Sequence, residues 1–132
     1  MTKVIKRENW KKFFDELSRK QLDAETNVQV LSDEIGAQVL SEGLPFVGLT
    51  FDEKGGESKI ELIVGSGTEN HQTHNILNPK MVAFESTEGS SFGTLDIEDE
   101  SETKTLIKFT QSLPVIITYS ETEVMSTISE VS

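Results

Sequence analysis

The N-terminal segment of the chain has a helical hydrophobic rhythm. Its apolar residues recur every third or fourth position, at Trp10, Phe13, Phe14 and Leu17, while charged residues fill the positions between them. This spacing predicts an amphipathic helix over residues 9–19. An aromatic stripe of this kind is typical of a helix that packs its apolar face on a core.

From residue 26 onward the rhythm changes to a two-residue alternation of apolar and polar positions, which is typical of β-strands. Seven segments alternate in this way, centred near residues 29, 39, 49, 62, 83, 95 and 107. Turn residues separate them, including Asp33–Gly36 and the pair Gly55–Gly56, since glycine adopts the positive φ of a hairpin at low cost. The segment at residues 115–119 is also strand-like and would pair with the sheet or with a second subunit.

These rhythms predict a mostly β fold of the α+β class. One N-terminal helix precedes an antiparallel meander of about seven strands. The sheet is expected to roll into a barrel-like form, because closing or rolling a sheet protects its unpaired edge strands. A cupin-like barrel is one form of this architecture. We expect a single domain over residues 1–119, with the helix at 9–19 and the meander at 26–119. Residues 120–132 are rich in Ser, Thr and Glu and are expected to form a loosely ordered acidic tail.

Charge is distributed unevenly along the chain. Residues 1–20 hold seven Lys or Arg against three Asp or Glu, a balance of +4, and the remaining 112 residues hold 5 Lys against 20 Asp and Glu, a balance of −15. The total of −11 argues against a nucleic-acid partner, because DNA binding neutralises phosphates with basic side chains. The helix is expected to be a basic element docked on an acidic body.

The composition also bears on the compartment. The chain has no cysteine, which excludes disulfides and thiolate chemistry and suits a reducing environment. Its start shows no apolar signal-peptide region, and no apolar run approaches the roughly 20 residues of a membrane helix. We therefore expect a cytoplasmic protein with no membrane partner.

Both histidines of the chain lie in the polar segment 65–79, which is predicted to be a loop and is the best candidate site. The candidate ligand-binding residues are Glu69, His71, His74 and Asn75. The spacing from Gly65 to His71 resembles the start of the cupin metal motif, but the histidines here are three apart rather than two. Since residues i and i+3 share a face on a helical turn but not on a strand, His71 and His74 would bind one metal ion only if the loop coils.

Other motifs with chemical potential are incomplete. Gly89–Gly93 matches the nucleophile-elbow pattern, yet it is flanked by predicted strands, where the elbow requires a strand followed by a helix. The acidic run Asp96–Glu102 lacks the glycine and the final glutamate of a calcium loop and is expected to be a solvated turn. The chain is therefore expected to be non-enzymatic and to need no cofactor.

Three motifs resemble a family of small bacterial proteins of unknown function. They are Trp10-x-x-Phe13-Phe14-Asp15, Leu44-Pro45-x-x-Gly48-x-Thr50-Phe51-Asp52 and His74-x-Ile76-x-x-Pro79. The resemblance spans residues 10–109 and implies a shared fold, but it brings no activity or catalytic residues. It gives His74 more weight than His71, because only His74 falls on the shared pattern, where it would fix a loop near Pro79.

Three functional hypotheses remain open at this point. The first is a non-enzymatic binding or assembly module, acting as a homodimer or with another protein. The second is a cupin-like barrel that binds a small molecule or metal near the 65–79 segment. The third is an adaptor that docks partners through the aromatic face of its helix, which requires that face to lie outside the core.

Overall fold

The computed structural model describes residues 2–66, 70–86 and 93–111, where a series of strands follows the helix as predicted, but a short strand that was not predicted precedes it. The helix α1 spans Trp10–Lys20, directly after a 3-10 turn at Arg7–Asn9. The strands are β1 (Thr2–Ile5), β2 (Glu25–Ser32), β3 (Gly36–Lys54), β4 (Glu57–Ser66), β5 (Asn70–Leu77), β6 (Pro79–Ser86), β7 (Gly93–Asp99) and β8 (Lys104–Gln111). The expected strand at 115–119 and the expected tail at 120–132 lie outside the described residues.

The aromatic stripe of α1 is part of the core, as its spacing predicts. Trp10 is 1% exposed, Phe14 is fully buried and Leu17 is buried, while Phe13 packs against the same core from its edge. The hypothesis that this face docks a partner is therefore wrong, because its large side chains already pack against the sheet.

The eight described strands form one antiparallel sheet in the order β1-β6-β7-β8-β2-β3-β4-β5. This confirms the mostly β prediction, with one N-terminal helix. The sheet is not closed, because within the described residues β1 and β5 pair on one side only. The expected barrel is thus an open sheet with two edges. No helix in the described part of the chain is long and apolar enough to cross a bilayer.

Strand β3 is 19 residues long and joins the two halves of the sheet. Its first part, up to Pro45, pairs with β2, and its second part, from Phe46, pairs with β4. The two separate strands predicted near residues 39 and 49 are therefore one strand. Register shifts occur on both sides of the junction, and Gly43 has a φ of +75°, so the strand changes direction there while keeping its hydrogen bonds.

The bend of the sheet lets the inward faces of both halves and of α1 share one core. The largest fully buried side chains are Trp10, Phe14, Phe46, Phe109, Leu49, Ile60, Leu62, Leu95, Ile97 and Ile107. Phe46 and Phe109 pack edge to face with ring centroids 5.1 Å apart, which joins the bend of β3 to β8. Burial of this apolar surface is the main favourable contribution to folding.

The helix approaches β3 closely at Gly48. A Cβ atom at Gly48 would lie 3.3 Å from Ser18 Oγ, which is tighter than ordinary contact. Ser18 Oγ accepts a hydrogen bond of 3.1 Å from the Leu49 N–H. The small residue therefore allows the helix to bond directly to the strand backbone.

The basic N-terminal segment contacts the acidic body through Arg7. Its guanidinium lies 2.8 Å from a carboxylate oxygen of Glu53 and donates to the Pro79 carbonyl at 3.3 Å. It also lies over the rings of Trp10 and Phe51, at 4.9 and 5.2 Å from their centroids. Because the ion pair is largely exposed, we expect it to orient the segment more than to stabilise it.

Candidate functional site

The segment that carries both histidines is a strand rather than the expected loop. Residues 70–77 form β5 and pair one-to-one with β4, without a bulge. Because alternate residues of a strand face opposite sides, His74 lies on the face of buried Ile76, and exposed His71 and Asn75 lie on the other face. Glu69 lies outside the described residues.

The strand geometry bears directly on the metal hypothesis. His71 and His74 could share an ion only if the segment coiled, and β5 is extended instead, which separates them across the sheet. Within the ranges that the structure describes, no three His, Asp or Glu side chains cluster as metal ligands would. His74 also makes no described loop-fixing contact with Pro79, whose carbonyl accepts from Arg7 instead.

The open side of β5 can be identified from one hydrogen bond at its end. Asn78 N–H donates to the Ser58 carbonyl at 2.8 Å, and this pair continues the register in which Lys59 faces Leu77. In an antiparallel ladder, hydrogen-bonded and non-hydrogen-bonded pairs alternate. Even-numbered residues of β5 therefore direct their N–H and C=O groups toward β4.

The odd-numbered residues consequently direct their backbone polar groups away from the sheet. These residues are His71, Thr73, Asn75 and Leu77. Their outward N–H and C=O groups have no partner among the described residues, and their side chains are exposed, with Leu77 61% exposed. Such a row of unpaired amides is a template for another strand.

The two edges of the sheet differ in how they are protected. Strand β1 has only four residues and carries Lys3, and both features discourage pairing with another chain. Strand β5 has eight residues, no proline and no bulge. Among the eight described strands, β5 alone contains no Asp, Glu, Lys or Arg. The second edge is therefore long, regular and uncharged.

The inward face of β5 borders a cavity of about 180 Å³ that is also lined by residues of β2, β3 and β4. Gln72 and His74 line one side of the cavity, and Ser41 of β3 lines another. Its remaining lining comes from the apolar residues Val28, Leu40, Leu62 and Val64 and from Thr73, whose side chain lies on the other face of β5. The cavity therefore combines an apolar body with three polar side chains, as small-molecule sites do.

Two polar groups of this cavity have unusual environments. Burial lowers the pKa of His74 below its ordinary value of 6.5, so the neutral ring is favoured. Ser41 is 8% exposed, and its buried hydroxyl oxygen has no hydrogen-bond partner among the described residues. An unpaired buried hydroxyl is uncommon, because it loses its bonds to water without replacing them.

Asp96 is a further unusual group, and it lies on β7 within the predicted acidic turn region. One of its carboxylate oxygens is buried without a described partner. Burial, followed by the charge of Glu98, raises its pKa above the ordinary 3.8. The neighbouring Asp99, by contrast, behaves as a turn residue and accepts from the Ser101 and Thr103 N–H groups at 2.9 and 3.0 Å.

Comparison with known proteins identifies the relatives of this chain. Residues 1–115 match a family described as a family of unknown function, DUF5335. The chain belongs to the DUF5335 family. An uncharacterised protein of Aquifex aeolicus (strain VF5) is 32% identical over 114 residues, which cover 86% of this chain and 96% of that relative. Comparison with solved structures found no match.

The resemblance inferred from the three sequence motifs is thereby confirmed. In this DUF5335 protein, the first motif supplies the buried face of α1. The second contains Gly48, where the helix meets β3, and the third contains buried Ile76 and Pro79 around the end of β5. The buried residues of the three motifs therefore lie in α1, in β3 and around the junction of β5 with β6.

Ser41 and Gln72 are the site residues that sequence reasoning missed. Ser41 lies in a segment whose alternation predicts only an ordinary strand, and the cavity that it lines is completed by β5, which is distant in sequence. Gln72 alternates in register with His74, so recognising β5 as a strand would have placed the two side chains on one face.

Proposed function

We propose that this DUF5335 protein is a non-enzymatic assembly module of the bacterial cytoplasm, in which β5 pairs with β5 of a second copy. The observation that carries the proposal is the long, regular and uncharged edge of β5. A cytoplasmic setting suits a chain without cysteine, which requires no disulfide for stability. A shared metal at His71 and His74 forms no part of the proposal, since the two side chains lie on opposite faces.

Charge favours β5 over the rest of the surface for self-association. Each copy has a formal net charge of −11, so two copies repel one another over most approaches. An edge without charged side chains brings the fewest like charges together and leaves no ionic group to desolvate. The unpaired amides of β5 then supply the main-chain hydrogen bonds of a strand addition.

Two-fold symmetry suits this edge, because antiparallel pairing of identical strands is self-complementary. In the longest register available, Thr73 lies opposite the second copy's Asn75, and His74 lies opposite its own counterpart. All four outward-directed residues then pair. A single added strand buries little surface compared with a stable dimer interface, so we expect a reversible dimer that dissociates on dilution.

Sedimentation equilibrium over a range of concentrations tests the proposal. The monomer mass is 14.7 kDa, so the dimer has a mass of 29.4 kDa, twice that value. Raising the ionic strength shortens the screening length from about 30 Å at 0.01 M to about 8 Å at 0.15 M and should strengthen the dimer. A protein that remains monomeric at every concentration and salt level would contradict the proposal.

Two substitutions at Asn75 locate the interface. Asn75→Pro removes an N–H that points away from β4, so the monomer should retain its far-ultraviolet circular dichroism while the dimer is lost. Asn75→Asp places a carboxylate on the same edge and should also weaken the dimer.

The matched control is Asn9→Asp, which makes the same isosteric change beside α1 and brings the net charge to the same −12. It should dimerise as the native protein does. Equal dimerisation of Asn75→Asp and Asn9→Asp, with Asn75→Pro unaffected, would place the interface elsewhere and refute the β5 assignment.

A further inference from the structure

We propose that the cavity between β3 and β5 is a binding site for a small, uncharged, amphiphilic molecule, which hydrogen-bonds to Ser41 and His74 and packs its apolar part on the valine and leucine walls. This site adjoins the β5 edge, since Thr73 also lines it, but the side chains of Ser41, Gln72 and His74 belong to the core-facing side of the sheet. The inference does not depend on dimer formation.

The lining of the cavity selects against charged ligands. None of its eight lining residues is Asp, Glu, Lys or Arg. Burial favours the neutral form of His74, so the ring offers one hydrogen-bond donor and one acceptor but no charge near neutral pH. A buried carboxylate or ammonium would lose its hydration without gaining a counter-ion.

Ser41 gives the site its polar anchor. Its hydroxyl oxygen is buried without a partner among the described residues, although the first part of its strand, up to Pro45, pairs with β2. A ligand that bonds to this hydroxyl would satisfy a group that the described part of the chain leaves unpaired. Val28, Leu62 and Val64 line the same cavity with apolar surface, which suits the aliphatic part of the same ligand.

The volume accommodates a ligand of a few heavy atoms. The cavity of about 180 Å³ is slightly larger than the roughly 150 Å³ apolar cavity that accepts benzene. Aliphatic amides and short alcohols have the required size, one polar end and one apolar end. For such fragments we expect a Kd on the order of 1–10 mM.

Butyramide is a suitable probe, and butyrate is its charged counterpart of almost equal shape. Titration of the isotope-labelled full chain, followed by NMR, should show saturable shifts for butyramide at the Gln72 side-chain amide, the His74 ring and the Ser41 backbone. Butyrate should bind at least about tenfold more weakly because its charge would be desolvated. The absence of saturable shifts at these residues, or equal binding of the two probes, would overturn the inference.

Two serine substitutions separate binding from folding. Ser41→Ala should weaken butyramide binding about two- to tenfold and leave the melting temperature unchanged or higher, because its hydroxyl has no hydrogen-bond partner in the described segments to lose. Ser18→Ala removes the bond to the Leu49 N–H outside the cavity, so it should lower the melting temperature and leave binding unchanged. Native affinity in Ser41→Ala would refute the role of its hydroxyl.

The proposal of a binding site and the proposal of a dimer can be refuted independently. Every lining residue belongs to one chain, so the Asn75→Asp variant should bind butyramide with native affinity even where it is monomeric. Loss of binding in that variant would show that the cavity needs the second copy and would contradict a site built within one chain.

Discussion

Replacement of Trp10 by phenylalanine tests how the N-terminal strand is attached to the helix. The indole N–H of Trp10 donates to the Ile5 carbonyl at 2.9 Å, and both residues are buried. The ring also packs edge to face on Phe51, with centroids 5.0 Å apart. Trp10→Phe retains an aromatic ring but removes the hydrogen bond that joins the start of α1 to the end of β1.

The expected loss of stability follows from these contacts. A buried carbonyl left without its donor costs about 1–3 kcal/mol. The atoms missing from the smaller ring leave a gap that adds roughly 1 kcal/mol. The free energy of unfolding should therefore fall by about 2–4 kcal/mol, a large fraction of the order of 10 kcal/mol expected for a domain of this size.

Urea unfolding followed by far-ultraviolet circular dichroism measures this change, because Trp10 is the only tryptophan and its fluorescence is lost in the variant. Amide hydrogen exchange should also accelerate in β1. The control is Phe13→Leu, a change on the same helix that breaks no hydrogen bond and should cost less than about 1.5 kcal/mol. A loss below about 0.5 kcal/mol in Trp10→Phe, with unchanged exchange in β1, would refute the reasoning.

Three further outcomes can be measured by thermal unfolding. The raised pKa of Asp96 means that the folded protein binds the proton of this carboxyl more tightly than the unfolded chain does. Asp96→Asn should therefore stabilise the protein at pH 7 by less than about 1 kcal/mol, and this gain should fade as the pH falls toward 4. A gain that is independent of pH would contradict this origin. The lowered pKa of His74 has the opposite consequence, because the unfolded chain then binds the proton of this ring more tightly than the folded protein does. The free energy of unfolding should fall as the pH drops through 6.5, and His74→Gln should reduce that pH dependence. Identical pH profiles for the two proteins would contradict this prediction. Gly93→Ala should lower the free energy of unfolding by about 1–3 kcal/mol, because the added Cβ would lie 2.7 Å from a ring carbon of Phe84 and would also collide with the Glu85 carbonyl oxygen. A native melting temperature in this variant would refute that packing.

The elements with a strong hydrophobic rhythm were predictable from sequence. The stripe of α1 gave both the helix and its buried face, and the alternation around Leu62, Leu95 and Ile107 gave central strands that do bury those residues. The hairpin at Gly55–Gly56 was also predictable, since both glycines adopt positive φ. These features depend on neighbours close in sequence.

Strand β5 was not predictable in the same way. Among its core-facing positions only Ile76 is apolar, because Gln72 and His74 border a cavity rather than the packed core. Strand β1 is too short to show a period, and the continuity of β3 through Pro45 depends on pairing with β2 and then β4. The metal hypothesis was limited by the same ambiguity, as its two histidines converge in a coiled loop and diverge in a strand.

The shared strand β3 has a consequence for how the molecule unfolds. Because this one continuous segment is paired with β2 along its first part and with β4 along its second, opening it removes a neighbour from both halves at once. The slowest-exchanging amides of β2 and β4 should therefore report a single opening free energy, as in one cooperative unit. Cleavage of the backbone near residue 45 would leave neither fragment with a complete sheet.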